Sequence, residues 1–291
     1  MTDANANPQL KNLFPIIRPE ELLKLKDAPD LVLIDVRAGP NVQARYAAAH
    51  LDGALWVDLE EELAHKAANP ADGGRHPLPS AQAFAGLLGH LGISPTSHVV
   101  VYDDKNGANA AARFWWMLSA LGHSAVQVVD GGMDAAIAAG FPTSSTAPQP
   151  VPVPAYPQSA WQLPLATVEE VEQAAQSPDQ LVIDVRDAIR YRGEQEPIDL
   201  IAGHIPGAVN IPFANNLDAN GFFLAPEVLR EKYTEALHNY QSYKVIVHCG
   251  SGVTACHTLL AMAHAGLPIP KLYVGSWSEW SNSGRPVATE V

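Results

Sequence analysis

One cysteine-containing loop carries the strongest chemical signal in the sequence. Cys249 follows a short β-branched run and opens the stretch Cys249-Gly-Ser-Gly-Val-Thr254, after which an apolar helical pattern runs from Ala255 to Ala265. A strand, a glycine-rich loop and a helix N-terminus in this order form an anion cradle, because the glycines let successive N–H groups turn inward and the helix adds its positive end. Such a cradle favours the thiolate form of a cysteine at its start. We therefore expect Cys249 to be a nucleophile that can carry an extra sulfur as a persulfide.

The only other cysteine has a different setting. Cys256 lies in the predicted helix beside two leucines, so we expect it to pack in the core. A structural role is also the commoner fate of a cysteine such as Cys249, but Gly250 and Gly252 would then serve no purpose. Two cysteines in one short segment exclude a disulfide scaffold and favour a reducing compartment.

Composition limits the possible classes of protein. A length of 291 residues suits two α/β domains of about 100–150 residues each. Hydrophobic residues make up 47% of the chain and charged residues 17%, which argues for packed cores and against disorder. The net charge of −13 would repel a phosphate backbone, so we expect no nucleic-acid partner. The N-terminal stretch has no apolar targeting segment and no apolar run could cross a bilayer, so we expect a cytoplasmic protein without a membrane partner.

The sequence contains an internal repeat. Four segments of the first half recur in the same order in the second: 31–37 as 181–186, 49–54 as 203–208, 98–104 as 244–250, and 131–142 as 275–286. Four matches in one order indicate a duplicated unit.

Each half alternates β-branched runs with helical patterns, which predicts an α/β fold with a parallel sheet flanked by helices on both faces. The predicted strands are 31–34, 98–102, 126–129, 181–183, 244–247 and 271–274, and the predicted helices are 80–91, 107–121, 167–176, 226–238 and 254–265. Between the halves, residues 141–165 contain seven prolines and predict an extended strap. We place the first domain at 1–145, the linker at 146–165 and the second domain at 166–291.

The two halves differ where the chemistry is expected. The first has Asp103-Asp104 where the second has Cys249-Gly250. A carboxylate in an anion cradle is not a nucleophile for this chemistry, and its negative charge repels an anionic substrate. The second domain is therefore predicted to be catalytic and the first to be inactive.

At these motifs the chain resembles the rhodanese superfamily, specifically the tandem-domain thiosulfate and 3-mercaptopyruvate sulfurtransferases. The resemblance covers residues from about Leu31 to Pro286, and the loop Cys249 to Ala255 is similar to that of the mercaptopyruvate branch. Segments 203–208 and 275–280 are similar to other family motifs. The resemblance implies a catalytic second rhodanese-like domain, a cleft between domains, and sulfur carried on Cys249.

Several substrate-binding residues follow from this resemblance. Arg190 matches the family arginine that binds the donor's carboxylate or sulfonate, a role that suits a guanidinium fork. A second family arginine is missing, because Ile198 stands after Glu196-Pro197, and Arg192 is a weak substitute. Thiosulfate therefore stays open as the donor. The loop residues expected to bind the donor or the added sulfur are Gly250, Gly252, Val253 and Thr254.

Residues shared by both halves are predicted to serve the fold. By that test Arg186, His204 and Asp184 are structural, since they have counterparts at Arg37, His50 and Asp35. In the first half, His76 matches a family histidine that reaches the cleft, with Glu60 as a weak candidate to orient it. We expect His76 to act with Ser251 in moving a proton onto the departing enolate. His248 precedes Cys249 on a strand, so its side chain points to the other face.

Three other interpretations compete with a sulfur-carrying cysteine. A cysteine phosphatase needs an arginine six residues after the cysteine, where this chain has Ala255. A metal site at His248, Cys249, Cys256 and His257 is rejected, because four ligands in ten residues cannot readily form a tetrahedron here. A non-catalytic sulfur-binding or regulatory module is the remaining alternative, which would gain no sulfur adduct on Cys249.

The sequence thus predicts a sulfurtransferase with ping-pong kinetics. Sulfur passes from a small anionic donor, 3-mercaptopyruvate or thiosulfate, through a Cys249 persulfide to cyanide or a thiol acceptor such as thioredoxin or a small thiol. No cofactor or metal is expected. Because a tandem chain supplies both domains itself, we expect a monomer.

Overall fold

The computed structural model describes residues 13–237 and 240–289. The chain forms two compact units. The first comprises the described residues up to Leu63 together with Pro79–Gln162, and the second comprises Ala64–Leu78 together with the described residues from Leu163 onward. Segment 64–78 therefore belongs to the second unit although it lies in the first half of the sequence. No helix within the described residues is long and apolar enough to cross a bilayer.

The first unit is built on a parallel sheet. Its strands are β1 (Ile16–Ile17), β2 (Leu31–Asp35), β3 (His50–Leu51), β4 (Leu55–Trp56), β5 (His98–Tyr102), β6 (Val126–Val129) and β7 (Thr143–Ser144). The sheet has the order β1-β6-β5-β2-β4, while β3 and β7 form a separate antiparallel pair. Strand β5 is buried along its whole length, which explains why it reads as a continuous apolar run rather than an alternating one.

The helices of the first unit connect these strands. They are α1 (Pro19–Leu25), α2 (Val42–Ala48), α3 (Ala81–His90), α4 (Ala110–Ala120) and α5 (Gly132–Ala138). Helix α3 begins where the Ser80 hydroxyl accepts a hydrogen bond from the Ala83 N–H at 3.1 Å.

The proline-rich segment packs along the first unit. None of the described residues 145–164 lies in a helix or strand. The Val153 N–H donates to the carbonyl oxygen of Gly89 at 2.8 Å, and the Tyr156 hydroxyl lies 2.9 Å from Nδ1 of His123. The ring of Trp161 lies 5.9 Å from that of Phe84. The segment is therefore anchored by main-chain and ring contacts as far as Gln162.

The second unit repeats the design with fewer strands. They are β8 (Leu181–Asp184), β9 (Val209–Asn210), β10 (Val245–His248) and β11 (Lys271–Leu272), in the parallel order β11-β10-β8-β9. Its α-helices are α6 (Val168–Ala175), α7 (Ala188–Tyr191), α8 (Pro226–Leu237), α9 (Ala255–His264) and α10 (Ser276–Asn282), with 3₁₀ turns at Phe213–Asn216 and Ser242–Lys244. The prediction of parallel sheets flanked by helices is confirmed.

The internal repeat is visible in matching side-chain contacts. Tyr46 stacks on His50 with ring centroids 4.1 Å apart, and Tyr191 stacks on His204 at 3.8 Å. Each tyrosine hydroxyl donates to a main-chain carbonyl near the next strand, at 2.7 and 2.6 Å. These pairs fix which residues correspond between the units.

A buried Asp–Arg pair also occurs in both units. Arg37 donates to Asp35 at 2.7 Å and to a main-chain carbonyl at 2.7 Å. Arg186 repeats both distances with Asp184 and the carbonyl of Gly203. The same geometry in both units is that of a structural pair.

Candidate active site

Cys249 lies at the carboxyl end of β10 with its backbone held from both sides. Its N–H donates to Oγ of Ser276 at 3.1 Å, and its carbonyl oxygen accepts from the Trp277 N–H at 3.0 Å. The residue is 3% exposed. These two hydrogen bonds restrict the backbone of Cys249, the first residue of the loop.

The loop turns at Gly252, where only glycine fits. Its φ is +76°, a conformation that L side chains rarely adopt, and an added Cβ would lie 2.4 Å from the carbonyl oxygen of Val274. The turn leads directly into α9, so the loop between Cys249 and the helix is short and tightly curved.

Two guanidinium groups flank the loop beside Gly250. A Cβ built on this glycine would lie 3.5 Å from Nη2 of Arg75, and 3.6 and 3.7 Å from Nη2 and Nη1 of Arg190. Arg190 was predicted from the sequence, whereas Arg75 was not. The available signal was that Arg75 directly precedes His76 in the same segment.

Arg190 is held by Glu196. Its Nε and Nη2 donate to the two carboxylate oxygens of Glu196 at 3.1 and 2.6 Å, and its side chain is 14% exposed. Burial raises the pKa of Glu196, but the bonds from Arg190 and from the amides of Asp199 and Ile198 outweigh burial and leave that pKa below its ordinary value. The ion pair fixes the guanidinium beside the loop.

Asp199 completes the charge cluster. Its carboxylate pairs with Arg75 and lies 3.5 Å from Nη2 of Arg190. Burial, with a further contribution from the neighbouring Glu196 carboxylate, raises the pKa of Asp199 despite the attraction of Arg75. The two arginines thus face two carboxylates, so an anionic substrate must compete with Asp199 for them.

His76 and Ser251, both selected from the sequence, lie together. Nδ1 of His76 is 2.7 Å from Oγ of Ser251, and Ser251 is 7% exposed. Segment 64–78 reaches this position because the Gly73 N–H donates to Glu279 at 3.1 Å and Gly74 packs against the backbone of Gly275.

The two weak candidates, Arg192 and Glu60, each contact a neighbouring acidic residue. Arg192 pairs with Glu194 at 2.6 Å, with 36% of its side chain exposed. Glu60 is an exposed residue of the first unit, and its N–H donates to Asp58 at 2.7 Å. Because Arg75 lies beside Gly250 and Arg192 pairs with Glu194, Arg75 is the better candidate for a second substrate-binding arginine.

His248 and Cys256 are both buried. Nδ1 of His248 lies 3.2 Å from the carbonyl oxygen of Cys249, and Nε2 lies 3.8 Å from Asp184. Desolvation by burial lowers the pKa of His248, which keeps the ring neutral. Sγ of Cys256 contacts the carbonyl of Gly252 at 3.4 Å.

Ser276 contacts Cys249 and was not predicted from the sequence. It has φ of +55° although it is not glycine, and its hydroxyl donates to the carbonyl of Tyr273 at 2.9 Å while accepting from Cys249. Its counterpart in the first unit is Gly132, with φ of +66°. The sequence signal for this role was that serine stands at position 276, where the first half has Gly132.

Fold and site together define a class: a duplicated α/β protein with a reactive-cysteine loop in one unit and an aspartate in its place in the other. A family model described as a rhodanese-like domain matches residues 18–139 and 167–283. The chain therefore belongs to the rhodanese-like family and contains two rhodanese-like domains.

Known proteins of similar sequence and structure agree. The chain is 40% identical over 282 residues to a Pseudomonas aeruginosa protein named "Probable 3-mercaptopyruvate sulfurtransferase", covering 94% of this chain and 98% of that protein. It is 38% identical over 275 residues to the thiosulfate sulfurtransferase of Rattus norvegicus, covering 92% and 90%. The solved 3-mercaptopyruvate sulfurtransferase from Leishmania major matches with a TM-score of 0.81 at 30% identity, covering 95% of this chain and 76% of that one. The predictions of a tandem rhodanese-superfamily protein and of a sulfurtransferase enzyme are confirmed.

Proposed function

We propose that this sulfurtransferase takes sulfur from 3-mercaptopyruvate onto Cys249 and hands it to a thiol, or to cyanide in an assay. The observation that carries the choice of donor is the hydrogen-bond distance of 2.7 Å between His76 and Ser251. Pyruvate leaves as an enolate and needs a proton, whereas sulfite, the leaving group of thiosulfate, is stable as an anion. A paired imidazole and hydroxyl beside the cysteine loop supply that proton.

In the first half-reaction the Cys249 thiolate attacks the donor sulfur. The S–S bond forms as the C–S bond breaks, and the bonding pair leaves with the pyruvate enolate. Arg190 and Arg75 hold the donor carboxylate, because both guanidinium groups border the space above Gly250. The enolate takes its proton from the His76–Ser251 pair and departs as pyruvate.

In the second half-reaction an acceptor thiolate attacks the outer sulfur of the persulfide. The Cys249 thiolate is the leaving group, and the His76–Ser251 pair regains a proton from solvent, so the enzyme returns to its starting state. Between the two steps the amides of residues 250–254 and the Thr254 hydroxyl stabilise the charged sulfur. The two half-reactions share no ternary complex, so parallel lines in double-reciprocal plots are expected.

The donor is tested by comparing two variants on two donors. His76→Gln and Ser251→Ala should lower kcat/KM for mercaptopyruvate by about 10²–10⁴-fold, the usual contribution of general acid–base catalysis, with a much smaller loss for thiosulfate. Arg190→Ala is the matched control, because it removes a carboxylate or sulfonate contact and should weaken both donors. Equal losses for both donors in the His76 and Ser251 variants would refute the assigned proton transfer.

Thiosulfate is a second candidate because two guanidinium groups also suit a sulfonate. A kcat/KM for thiosulfate above that for mercaptopyruvate in the unaltered protein would make it the main donor.

Both cysteines are free thiols, which supports our proposal of a reducing, cytoplasmic setting with a small thiol or a thioredoxin-like protein as acceptor. The tandem chain needs no partner copy to supply these residues, so we propose a monomer.

A further inference from the structure

The first unit contains a carboxylate bound in a ring of amides. Asp103 follows β5 as Cys249 follows β10, and it is fully buried. One carboxylate oxygen accepts two N–H groups at 2.8 and 2.9 Å, and the other accepts two at 3.1 and 3.2 Å; the donors are Lys105, Gly107, Asn109 and Ala111. The inactive unit has therefore kept an anion cradle at the position of the cysteine loop.

The residue after Asp103 also pairs with an arginine. Asp104, the counterpart of Gly250, pairs with Arg45. Arg45 directly precedes Tyr46 just as Arg190 directly precedes Tyr191, and these tyrosines make matching contacts. Both anion-binding elements of the proposed sulfur site, the amide N–H groups and the arginine, thus have counterparts in the first unit.

These contacts are those of a bound anion. Four N–H donors within 3.2 Å favour the ionised carboxylate of Asp103. Burial raises the pKa of Asp103 above its ordinary value, and the four amides counteract that rise only in part. The ionised form is assigned from the geometry, in which each carboxylate oxygen accepts two N–H groups. If the carboxylate were removed, the buried donors would be left without an acceptor, which is costly inside a protein.

We propose that the first unit retains a second anion site of the same construction as the cysteine loop, with the chain's own Asp103 and Asp104 as its permanent ligands. Once Asp103 is vacated, the site takes a small carboxylate such as formate. The alternative is that Asp103 only stabilises the loop conformation, and that the surrounding amide N–H groups have no affinity for a free anion.

Two variants at one position separate these possibilities. Asp103→Ala empties the cradle, so formate should stabilise the protein. At a concentration tenfold above its dissociation constant, formate should raise Tm by about 3–6 °C. Asp103→Asn is the matched control: its side chain still fills the cradle and turns an NH₂ group toward the amides. It should be destabilised without rescue by formate.

Formate is titrated against sodium chloride at constant ionic strength, because salts alter stability in general. The unaltered protein reports any effect at other sites. If Asp103→Ala does not fold alone, recovery on refolding with and without formate is the readout. No formate-specific gain in Asp103→Ala, or the same gain in Asp103→Asn and the unaltered protein, would overturn the proposal.

Asp104→Ala provides a second measurement in a chain that keeps the Asp103 bonds. It frees Arg45, so formate should stabilise this variant more than the unaltered protein, and Asp104→Ala/Arg45→Gln should lose that gain. The same gain in the double variant would exclude Arg45 from the site. These readouts involve stability only, so they can fail while sulfur transfer through Cys249 holds, and the reverse.

Discussion

At the scale of single residues, Ser276 has a strained left-handed backbone conformation that its counterpart in the first unit, Gly132, adopts without strain. A left-handed φ costs a non-glycine residue about 1–2 kcal/mol, and the first unit avoids that cost with Gly132. The second unit keeps a serine there, and its hydroxyl accepts the Cys249 N–H. The strain is therefore explained by the positioning of the reactive residue.

Replacing Ser276 should separate stability from activity. Ser276→Gly relieves the strain but removes two buried hydrogen bonds, each worth about 1 kcal/mol, so the two effects oppose each other and Tm should change little. Ser276→Ala keeps the strain and loses both bonds, so its Tm should fall. Both should lower kcat by about tenfold, since Cys249 loses an anchor of its backbone. Full turnover in Ser276→Gly would show that the hydroxyl does not position Cys249.

Asp199 should compete with the donor for the arginines. Asp199→Asn keeps an acceptor for Arg75 but removes the negative charge, so KM for mercaptopyruvate should fall by about 3–10-fold, equivalent to about 0.6–1.4 kcal/mol. Glu194→Gln, which removes an equal charge from the exposed pair with Arg192, is the control and should leave KM unchanged.

The raised pKa of Asp199 gives this effect a pH dependence. As the pH falls through that raised value, Asp199 takes up a proton and its competition with the donor ends. KM in the unaltered protein should therefore decrease toward acid pH and approach that of Asp199→Asn. A difference between the two proteins that is constant with pH would contradict the competition.

At the scale of elements, segment 64–78 delivers two side chains to the cysteine loop. Its position depends on close packing at Gly74, where φ is +84° and an added Cβ would lie 2.4 Å from the carbonyl oxygen of Gly275. Arg75 and His76 follow directly. A shift of the segment would move both of them together.

Gly74→Ala should therefore displace both residues. We expect kcat/KM for mercaptopyruvate to fall by more than 10²-fold, because both the carboxylate contact and the proton donor are misplaced. Gly284→Ala is the matched control in the same unit: φ is +71° and nothing lies within 4 Å of an added Cβ. It should lose about 1–2 kcal/mol of stability with near-normal turnover. Similar activities in the two variants would exclude the positioning role.

At the scale of the whole molecule, duplication has produced two units with one reactive position. Asp103 occupies the first cradle, so one chain should take up one sulfur. Intact mass after incubation with donor should show a single adduct of about 32 Da. Cys249→Ser should show none and Cys256→Ser should still show one. Two adducts, or one that persists in Cys249→Ser, would contradict the assignment.

Much of this architecture was predictable because its signals are local. The β-branched runs, the glycines of the Cys249 loop and the repeat are patterns over a few residues, and their physical meaning does not depend on distant partners. Most predicted strands and helices agree with the observed bounds within a few residues. The two halves also align Asp103 with Cys249 in sequence, and the structure places each directly after the corresponding strand; the counterpart of Arg190 at Arg45 was not predicted.

Only the tertiary structure decided which distant side chains meet. Arg75 and Asp199 are 124 residues apart in sequence, and no local pattern records their contact. His76 and Ser251 are 175 residues apart, and their pairing was predicted only through the family resemblance. The assignment of segment 64–78 to the second unit and the strained φ of Ser276 likewise depend on packing. The sequence by itself predicted a sulfur-carrying cysteine on a glycine-rich loop. Long-range packing decided that Arg75 accompanies Arg190 beside this loop, because chain folding alone brings such separated residues close together.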